Sequence, residues 1–414
     1  MISLVESLQQ FLDDSLTPFH AVDWMRQRLE SHGFFCGRSE KSYFVRQGSL
    51  LAIAYMPPID WSQASLHIIG AHTDSPGLKL KSLGQIRREG YLLAETEVYG
   101  SPLLYTWLDR DLRLAGKIYL EDGQELLYSS DKAMAKVISL AIHLQRDVNE
   151  KGLIINRQND LVPIFGSEGH DLLGLLAQEL KREPSQIHGY ELYLVDTQKS
   201  ERWGREREYL SSARLDNLAM CHAALEAFLL SNSPPHRVRA VVFYDHEEIG
   251  SETESGALSD FFLRSLEELM LSAGASRLDF LRLLDNGFFI SADMAHGVHP
   301  NFPEKHDYTH RPRLNEGPVL KINHMRRYAT SGKAQAFVVN LAQRNKIPLQ
   351  VYHHRSDMLC GTTIGPLQAS RLGILTAEIG NPMLAMHSIR ETAGTKDHEL
   401  VVQLFKAFFE FSKK

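Results

Sequence analysis

Hydrophobic residues near the start of the chain recur every three or four positions. The pattern runs through Leu4, Leu8, Phe11, Leu12, Ala21, Trp24, Met25 and Leu29. Such spacing places apolar side chains on one face of a helix, so the first thirty residues are predicted to be an amphipathic helix. The apolar runs 50–56 and 65–70 that follow have the length of strands.

Between about Gly84 and Arg205 the pattern changes to alternating apolar and polar residues. The segments EGYLLAETEVYGS, TWLDRDLRLAGKIYL and ELLYSSD are separated by Gly and Ser. Alternation with period two is typical of antiparallel strands that have one face in water. We therefore expect residues 84–205 to form a β-rich domain, inserted between residues 1–83 and 206–414.

From Ser211 onwards, helical segments alternate with short, continuous apolar runs. ARLDNLAMCHAALEAFLLS precedes RAVVFYD, and LSDFFLRSLEELML precedes GFFISADMA. Continuous apolar strands between helices are typical of a sheet that is buried on both faces. The expected fold class is α/β, with a mixed, largely parallel sheet flanked by helices and interrupted by the inserted β-rich domain.

Composition and charge exclude several classes of protein. The 414 residues are 43% hydrophobic and 23% charged, with a net charge of -6. No Lys/Arg-rich run is present, so we expect no nucleic-acid partner. The N-terminal MISLVESLQQFLDDS has acids where a signal peptide has positive charge, and no run of 18 apolar residues occurs. With only three scattered cysteines, these features predict a cytoplasmic protein that does not span a membrane.

The segment VVFYDHEEIGS resembles an HExxH zinc-protease helix that lacks its second histidine. That motif needs a His four residues after the first, so that both imidazoles lie on one face of a helix. Here His246 is followed at that distance by Gly250. The adjacent carboxylates Glu247 and Glu248 therefore indicate a different kind of site.

Acidic and imidazole side chains recur directly after the apolar runs. They are His72, Asp74, Glu247, Glu248, Asp293 and His387, and Asp216 lies where a loop enters a helix. Ligand sites in open α/β sheets lie at the carboxyl ends of strands. A polar turn after a strand is common, so each residue alone also fits a structural role. Their joint recurrence is what indicates a site.

Two His and three carboxylates suit a pair of metal ions. These ligand types favour Zn(II), with Mn(II) or Co(II) as alternatives. Two metal ions about 3.5–4 Å apart need a bridging carboxylate and two further ligands each, which five residues can supply. His72 and Asp74 are separated by one residue, so in an extended segment Asp74 can accept a hydrogen bond from the imidazole of His72. Of the adjacent Glu247 and Glu248, one can bind metal while the other acts as a general base.

Six motifs occur in an order that resembles the aspartyl aminopeptidase family of di-zinc exopeptidases. They are HTDSP at 72–76, RLDN at 214–217, DHEEIGS at 245–251, SADMAHGVHPN at 291–301, GPVLKIN at 317–323 and AMHS at 385–388. The resemblance extends along almost the whole chain. It implies an aminopeptidase that removes N-terminal residues, preferentially Asp or Glu, from peptides. It also implies a metallopeptidase domain interrupted by a dimerisation domain, and a homo-oligomer built from dimers, commonly a tetrahedral dodecamer.

The resemblance also implies roles for individual residues. His72 and Asp293 would hold one zinc ion, Glu248 and His387 the other, and Asp216 would bridge them. Glu247 would be the general base, beside the family's Asp at position 74. The implied substrate-binding residues are His143, which would act across a dimer interface, and His296, Lys321 and Tyr328. A structural role remains the alternative for His143, and a solvated surface position for Lys321.

Other functions use the same residue types. A di-metal aminopeptidase of broad or non-acidic specificity needs the same ligands, as does a di-metal hydrolase of another bond, such as a phosphoesterase. A metal-stabilised assembly protein without activity would be expected to lack a base such as Glu247. Catalysis by a Ser or Cys nucleophile is not favoured, since no GxSxG motif is present.

Overall fold

The computed structural model describes residues 2–412, which fold into two compact units. The first unit consists of Met1–Asp74, Ser200–Met386 and Glu391–Lys414, and the second of Ser75–Lys199 and His387–Arg390. The long insertion starts and ends a few residues earlier than the predicted 84–205. The second unit also takes in the short segment His387–Arg390, which lies far from the insertion in sequence.

Ten α-helices and twenty strands lie within residues 2–412. The helices are α1 Leu4–Asp14, α2 Pro18–Glu30, α3 Val148–Lys151, α4 Leu172–Leu180, α5 Leu215–Leu230, α6 Phe261–Ser272, α7 Arg277–Asp285, α8 Gly332–Arg344, α9 Ile364–Leu372 and α10 Thr395–Glu410. The strands are β1 Phe35–Cys36, β2 Lys41–Arg46, β3 Ser49–Ala54, β4 Ser65–His72, β5 Gly77–Arg88, β6 Tyr91–Tyr99, β7 Leu112–Leu120, β8 Glu125–Ser129, β9 Ile164–Ser167, β10 Ile187–Asp196, β11 Glu201–Trp203, β12 Tyr209–Ser212, β13 Arg237–Tyr244, β14 Gly287–Ala292, β15 Ala295–His296, β16 Val319–Ile322, β17 Gln350–His353, β18 Leu375–Gly380, β19 Pro382–Leu384 and β20 Glu391–Gly394.

A mixed sheet forms the centre of the first unit. Its strand order among the described residues is β1-β2-β3-β13-β4-β14-β18-β16-β17. The central strands β13, β4, β14 and β18 are parallel to one another, while β3 and β16 join them antiparallel. A smaller sheet in the same unit has the order β11-β12-β20-β19-β15. The mixed, largely parallel sheet confirms the α/β fold class predicted from the sequence.

Apolar clusters cover both faces of the central sheet. On β4, Ile69 and Ala71 belong to the cluster that contains residues of α1, α2, α5, α8 and α10. Leu66 and Ile68 point to the other face and join residues of α6, α7 and α9. Since successive side chains of a strand alternate between faces, a strand covered on both sides must be apolar throughout. This explains the continuous apolar runs of the sequence.

The first thirty residues are helical, as the apolar spacing predicts, but they form two helices with a break that the spacing did not predict. Helix α1 begins with a capping box between Ser3 and Glu6 and ends at Asp14, and α2 has Pro18 in its first turn. Proline disfavours a helical conformation in the residue before it, and Thr17 is extended. The apolar spacing continues through both helices because both pack on the same cluster.

The second unit is rich in β-structure, as the alternating pattern indicates. Among the described residues its antiparallel sheet has the strand order β8-β7-β10-β5-β6-β9. Leu78, Leu114 and Leu192 lie in its apolar core, together with Leu176 of α4. The buried Ile389, from the late segment His387–Arg390, is part of the same core.

No helix within residues 2–412 combines the length and the apolar composition that a membrane crossing requires.

Replacing Gly70 by alanine tests the packing of the central sheet. A Cβ atom at this position of β4 would overlap Cζ of the fully buried Phe289. We expect Gly70→Ala to lower the free energy of unfolding by about 1–3 kcal/mol, because overpacking a core forces its neighbours apart. The measurement is chemical denaturation at fixed protein and metal concentrations. Gly332→Ala is the matched control, since nothing lies within 4 Å of its new Cβ; equal midpoints for the two variants would contradict the prediction.

Candidate metal centre

The predicted site residues of the first unit lie at one edge of the central sheet. β4 ends at His72, and β14 ends immediately before Asp293. β13 ends shortly before a short 3₁₀ turn, Glu247–Ile249. These three strands are neighbours and run parallel, so their carboxyl ends share the same edge. This is the place where open α/β sheets bind ligands.

Three carboxylates approach one nitrogen of the His72 imidazole. Nε2 of His72 is 3.4 Å from Oδ1 of Asp216, 3.5 Å from Oδ2 of Asp293 and 3.9 Å from Oε2 of Glu247. Ligand atoms of His72, Asp216 and Glu248 also lie within 4.8 Å of one another. Ligand atoms bound to one zinc ion at about 2.0–2.2 Å are separated by roughly 3.3–3.6 Å in a tetrahedral site. The spacing and the nitrogen and oxygen donors therefore fit zinc.

The start of α5 holds Asp216 against the end of β14. Asp216 and Asn217 have non-helical backbone angles, and the peptide bond between them is cis. Asn217 Nδ2 donates a hydrogen bond of 2.8 Å to the carbonyl oxygen of Ala292, the last residue of β14. The backbone N–H of Asp216 donates to Oε2 of Glu391 at 3.0 Å. These contacts place the Asp216 carboxylate next to the strand ends.

Asp74 links His72 to the turn that carries Glu247 and Glu248. Its two carboxylate oxygens accept hydrogen bonds of 3.1 Å from the backbone N–H groups of Glu247 and Glu248. Nδ1 of His72 is 3.0 Å from the carbonyl oxygen of Asp74 and 3.4 Å from its Oδ1. The imidazole thus lies closer to the backbone of Asp74 than to its carboxylate, which the one-residue spacing alone did not predict. One buried aspartate orients both an imidazole and two neighbouring glutamates.

The turn around the HExxH-like segment requires glycine where that motif has its second histidine. Gly250 has a φ of 104°, a left-handed conformation that favours glycine over residues with a side chain. His246 lies at the start of the turn, and its Nδ1 is 2.8 Å from Oγ1 of Thr253. The segment is therefore a turn after a strand, and not a zinc-protease helix.

Burial and charge perturb the two central titratable groups. Burial alone would lower the pKa of His72, but the carboxylates around it, Glu247 foremost, raise that pKa well above its ordinary value. Burial also raises the pKa of Glu247 well above its ordinary value, opposed by His72 and reinforced by Asp293 and Glu248. The carboxylates around this one imidazole repel one another, and a bound cation reduces that repulsion. A metal ion is often the largest positive charge in such a site.

Lys321 is buried beside Asp293, so a solvated surface position is ruled out for it. The Nζ of Lys321 donates to Oδ1 of Asp293 at 2.7 Å and to the carbonyl oxygen of Met294 at 3.0 Å. Burial lowers the pKa of Lys321, but Asp293 and Glu378 outweigh that effect and raise it. The ring of the buried Tyr328 lies 5.1 Å from the same Nζ.

His296 is the third substrate-binding candidate of the first unit. It lies in β15, with its ring 5.9 Å from that of Tyr352. Burial, helped by the nearby Lys321, lowers the pKa of His296 to about 4. The imidazole is therefore neutral at physiological pH and can accept as well as donate a hydrogen bond.

The remaining two candidates belong to the second unit. His387 lies in the segment His387–Arg390, and its Nδ1 is 3.0 Å from the carbonyl oxygen of Ser101. His143 lies in a short 3₁₀ turn, Ile142–Leu144, and is exposed. A buried structural role is therefore excluded for His143.

Two glutamates contribute to this region without having been singled out in the sequence. Glu391 binds the backbone of Asp216, and the fully buried Glu378 lies in β18 directly opposite Lys321 of β16. Oε1 of Glu378 accepts hydrogen bonds from Thr363 and from the backbone of Ala329. A single acid in the otherwise apolar stretch ILTAEIG is a signal that identifies Glu378, whereas no sequence pattern marks Glu391.

The chain is similar to known proteins along nearly its whole length. The family model described as "Aminopeptidase I zinc metalloprotease (M18)" matches residues 11–409. A curated relative, "Probable M18 family aminopeptidase 2" of Ectopseudomonas mendocina (strain ymp), is 40% identical, and the match covers 98% of each chain. A relative of the same name from Azotobacter vinelandii is also 40% identical, with 98% of each chain covered.

Solved structures show the same fold. One determined by cryo-EM, of the Ape4 and Nbr1 complex, superposes with a TM-score of 0.92 at 34% identity and covers 98% of this chain and 85% of that one. The S. cerevisiae mApe1 dodecamer has a TM-score of 0.83 at 28% identity, covering 98% and 96%. Since the family model, the curated relatives and the folds all agree over nearly the full length, this chain belongs to the M18 family of aminopeptidases, which are zinc metalloproteases.

Proposed function

We propose that this protein is a di-zinc aminopeptidase that removes N-terminal residues, preferentially Asp and Glu, from peptides. The observation that supports this most directly is the convergence of Asp216, Asp293 and Glu247 on Nε2 of His72. A cluster of this kind at the end of a parallel sheet has the donor set of a metallopeptidase and an additional acid for proton transfer.

Five residues are proposed to hold the two zinc ions. His72 and Asp293 would hold one, Glu248 and His387 the other, and Asp216 would be shared by both; Mn(II) or Co(II) would be possible substitutes. Zinc bound there would supply the Lewis acidity that peptide hydrolysis needs at neutral pH.

Glu247 is proposed to act as the general base. Its carboxylate faces the metal ligands but lies farther from Nε2 of His72 than the oxygens of Asp216 and Asp293 do. Asp74 holds the backbone of Glu247 and thereby fixes the direction of the side chain. In this position Glu247 takes a proton from the attacking water and transfers it to the leaving amine.

Lys321 is proposed to bind the acidic side chain of the substrate. An ammonium group has three N–H donors, and two of those of Lys321 bind Asp293 and Met294. Among the described residues the third has no acceptor, and we propose that it donates to the substrate carboxylate, with Tyr328 and His296 as neighbouring polar groups.

One observation favours broad specificity as a second candidate. Lys321 lies between Asp293 and Glu378, and these two carboxylates already offset its charge. A lysine balanced in this way attracts a substrate carboxylate less strongly than an unpaired one, so the structural role of holding Asp293 is the competing explanation.

An exposed apolar segment in the second unit supports a homo-oligomer. Ile138, Leu140, Leu144 and Ile154 are 55%, 58%, 74% and 89% exposed. Large apolar residues that recur at exposed positions along one segment favour an interaction surface. We propose that this segment forms a dimer interface, that His143 reaches a partner's substrate from it, and that dimers build a tetrahedral dodecamer. A dodecamer is the state in which the similar S. cerevisiae mApe1 was solved. A cytoplasmic location completes the proposal.

The variant Glu247→Gln tests the base. We expect zinc content to stay at the wild-type level while kcat on a peptide with N-terminal Asp falls by roughly 10²- to 10⁴-fold, because the amide cannot accept a proton. Metal analysis and steady-state kinetics measure the two effects. The exposed Glu252, in the same segment, provides the control variant Glu252→Gln. Unchanged turnover in Glu247→Gln would remove this role from Glu247.

Replacing Lys321 by methionine tests specificity at nearly constant side-chain volume. If Lys321 binds the substrate carboxylate, the ratio of kcat/KM for N-terminal Asp to that for N-terminal Leu falls by roughly tenfold or more, since one charged hydrogen bond is lost. Lys305→Met, at an exposed lysine, is the control. Equal losses on both substrates would favour the broad-specificity alternative, and a loss of zinc would indicate that Lys321 chiefly holds Asp293.

The double variant Leu144→Glu with Ile154→Glu tests the proposed interface. We expect a smaller assembly by sedimentation velocity at the same protein concentration, because charges placed in an apolar interface must be desolvated without partners. The matched control, Leu144→Met with Ile154→Leu, keeps the surface apolar. An assembly of wild-type size in the charged variant would place the interface elsewhere.

A further inference from the structure

A second cavity lies at the opposite end of the strands that carry the metal centre. Its volume is about 590 Å³, and its lining includes the first residues of four parallel strands, Ser65 of β4, Arg237 of β13, Gly287 of β14 and Leu375 of β18. The metal centre lies at the other ends of these strands. At about 3.3 Å per residue, the eight residues of β4 separate the two places by roughly 20–25 Å. The cavity is therefore a separate site in the same unit.

Arg237 is a buried cation in the wall of this cavity. It is 8% exposed, and its Nε donates a 2.8 Å hydrogen bond to Oγ of Ser65. Its Nη1 lies against the imidazole of His67, 2.6 Å from Nδ1 and 2.8 Å from Nε2. Nδ1 of His67 also lies 2.7 Å from the carbonyl oxygen of Phe408. Within residues 2–412, Nη2 of Arg237 has no hydrogen-bond partner and the guanidinium forms no ion pair.

Other arginines of the first unit differ from Arg237 in the acceptors that they reach. Arg28 binds the buried Glu226 with two hydrogen bonds of 2.9 and 3.0 Å. Arg239, two residues along β13 and equally buried, donates to the carbonyl oxygens of Phe228 and Ser231 at the end of α5. Arg237 instead has an imidazole and a hydroxyl as neighbours. Burial lowers its pKa to about 10, and no anion raises it.

The rest of the cavity wall combines a second cation with aromatic surface. Lys333, in the first turn of α8, is exposed and forms no ion pair in the described part of the chain. Phe288, Phe337 and Phe411 supply the apolar part of the wall. The exposed Asp285 is the one acidic residue of the described lining. Cavities of about 300–1,000 Å³ with apolar walls and few polar groups are typical of small-molecule sites.

We propose that this cavity binds a small organic anion, with its carboxylate or phosphate group on Arg237 and its apolar body against Phe288 and Phe337. A guanidinium presents a planar pair of N–H donors that matches the oxygens of either group. Buried polar groups in proteins are hydrogen-bonded and buried charges are paired, so an Nη2 without a partner in a cavity wall is a place where an anion from solution can bind. Lys333 at the rim adds attraction for the same charge.

Calorimetric titration of the zinc-loaded, full-length protein tests this site. The probes are phenyl phosphate and benzoate, which carry the two head groups on one apolar body, and inorganic phosphate, which has no apolar body. We expect at least one of the aromatic probes to bind with a stoichiometry of one per chain, roughly tenfold or more tightly than inorganic phosphate. Absence of saturable binding by both aromatic probes would overturn the proposal, since the cavity would then hold only water.

Two variants separate this cavity from the metal centre. Arg237→Gln is expected to weaken binding of the aromatic probe by roughly tenfold or more, because a charged hydrogen bond is lost, while zinc content and peptidase turnover stay at wild-type levels. The exposed Lys333→Gln cannot disturb the core and is expected to weaken binding roughly threefold by removing a rim charge. Wild-type affinity in both variants would show that the anion binds elsewhere, for example at zinc, and would overturn the proposal.

Discussion

Parallel pairing of β13, β4 and β14 is the constraint on which the metal centre depends. Tyr244 pairs with His72, and Ser291 of β14 pairs with Gly70 of β4, so the residues that follow each strand emerge at one level. A slip of one residue in either pairing would move a whole set of side chains to the opposite face of the sheet. Size-specific packing opposes such a slip, because Gly70 of β4 leaves room for the ring of Phe289 in β14, and a shifted strand would place a larger side chain there. Packing far from the chemistry therefore sets the geometry of the site.

The same arrangement brings negative charges close together, which is electrostatically unfavourable without a bound cation. Asp74, Asp216, Asp293 and the two glutamates of the turn converge on one imidazole in a buried place, where like charges repel strongly. Hydrogen bonds from backbone N–H groups to Asp74 and from Lys321 to Asp293 offset part of this repulsion. A divalent ion would offset the remainder, so metal binding and stability of the fold are expected to be coupled.

The sequence predicts those features that have a local pattern. Continuous apolar runs followed by acids or imidazoles predicted both the α/β class and the grouping of residues from His72 to Asp293 at one sheet edge. Features that depend on the surroundings were not predictable in this way. The contact of Glu391 with Asp216 joins residues 175 positions apart, and the burial of Lys321 depends on Glu378 in a neighbouring strand. The absence of an acid beside Arg237 in the described structure has no sequence signature, since it is set by what packs around the strand.

The core of the second unit includes a residue that is translated late, in the segment His387–Arg390. Ile389 lies in the core of that unit, yet about 190 residues of the first unit separate it from Lys199, where the insertion ends. During synthesis on the ribosome, the insertion emerges long before this last core residue exists. The second unit can therefore complete its packing only after nearly all of the first unit has been translated. Excising residues 75–199 as an independent fragment would leave that core with a gap where Ile389 belongs.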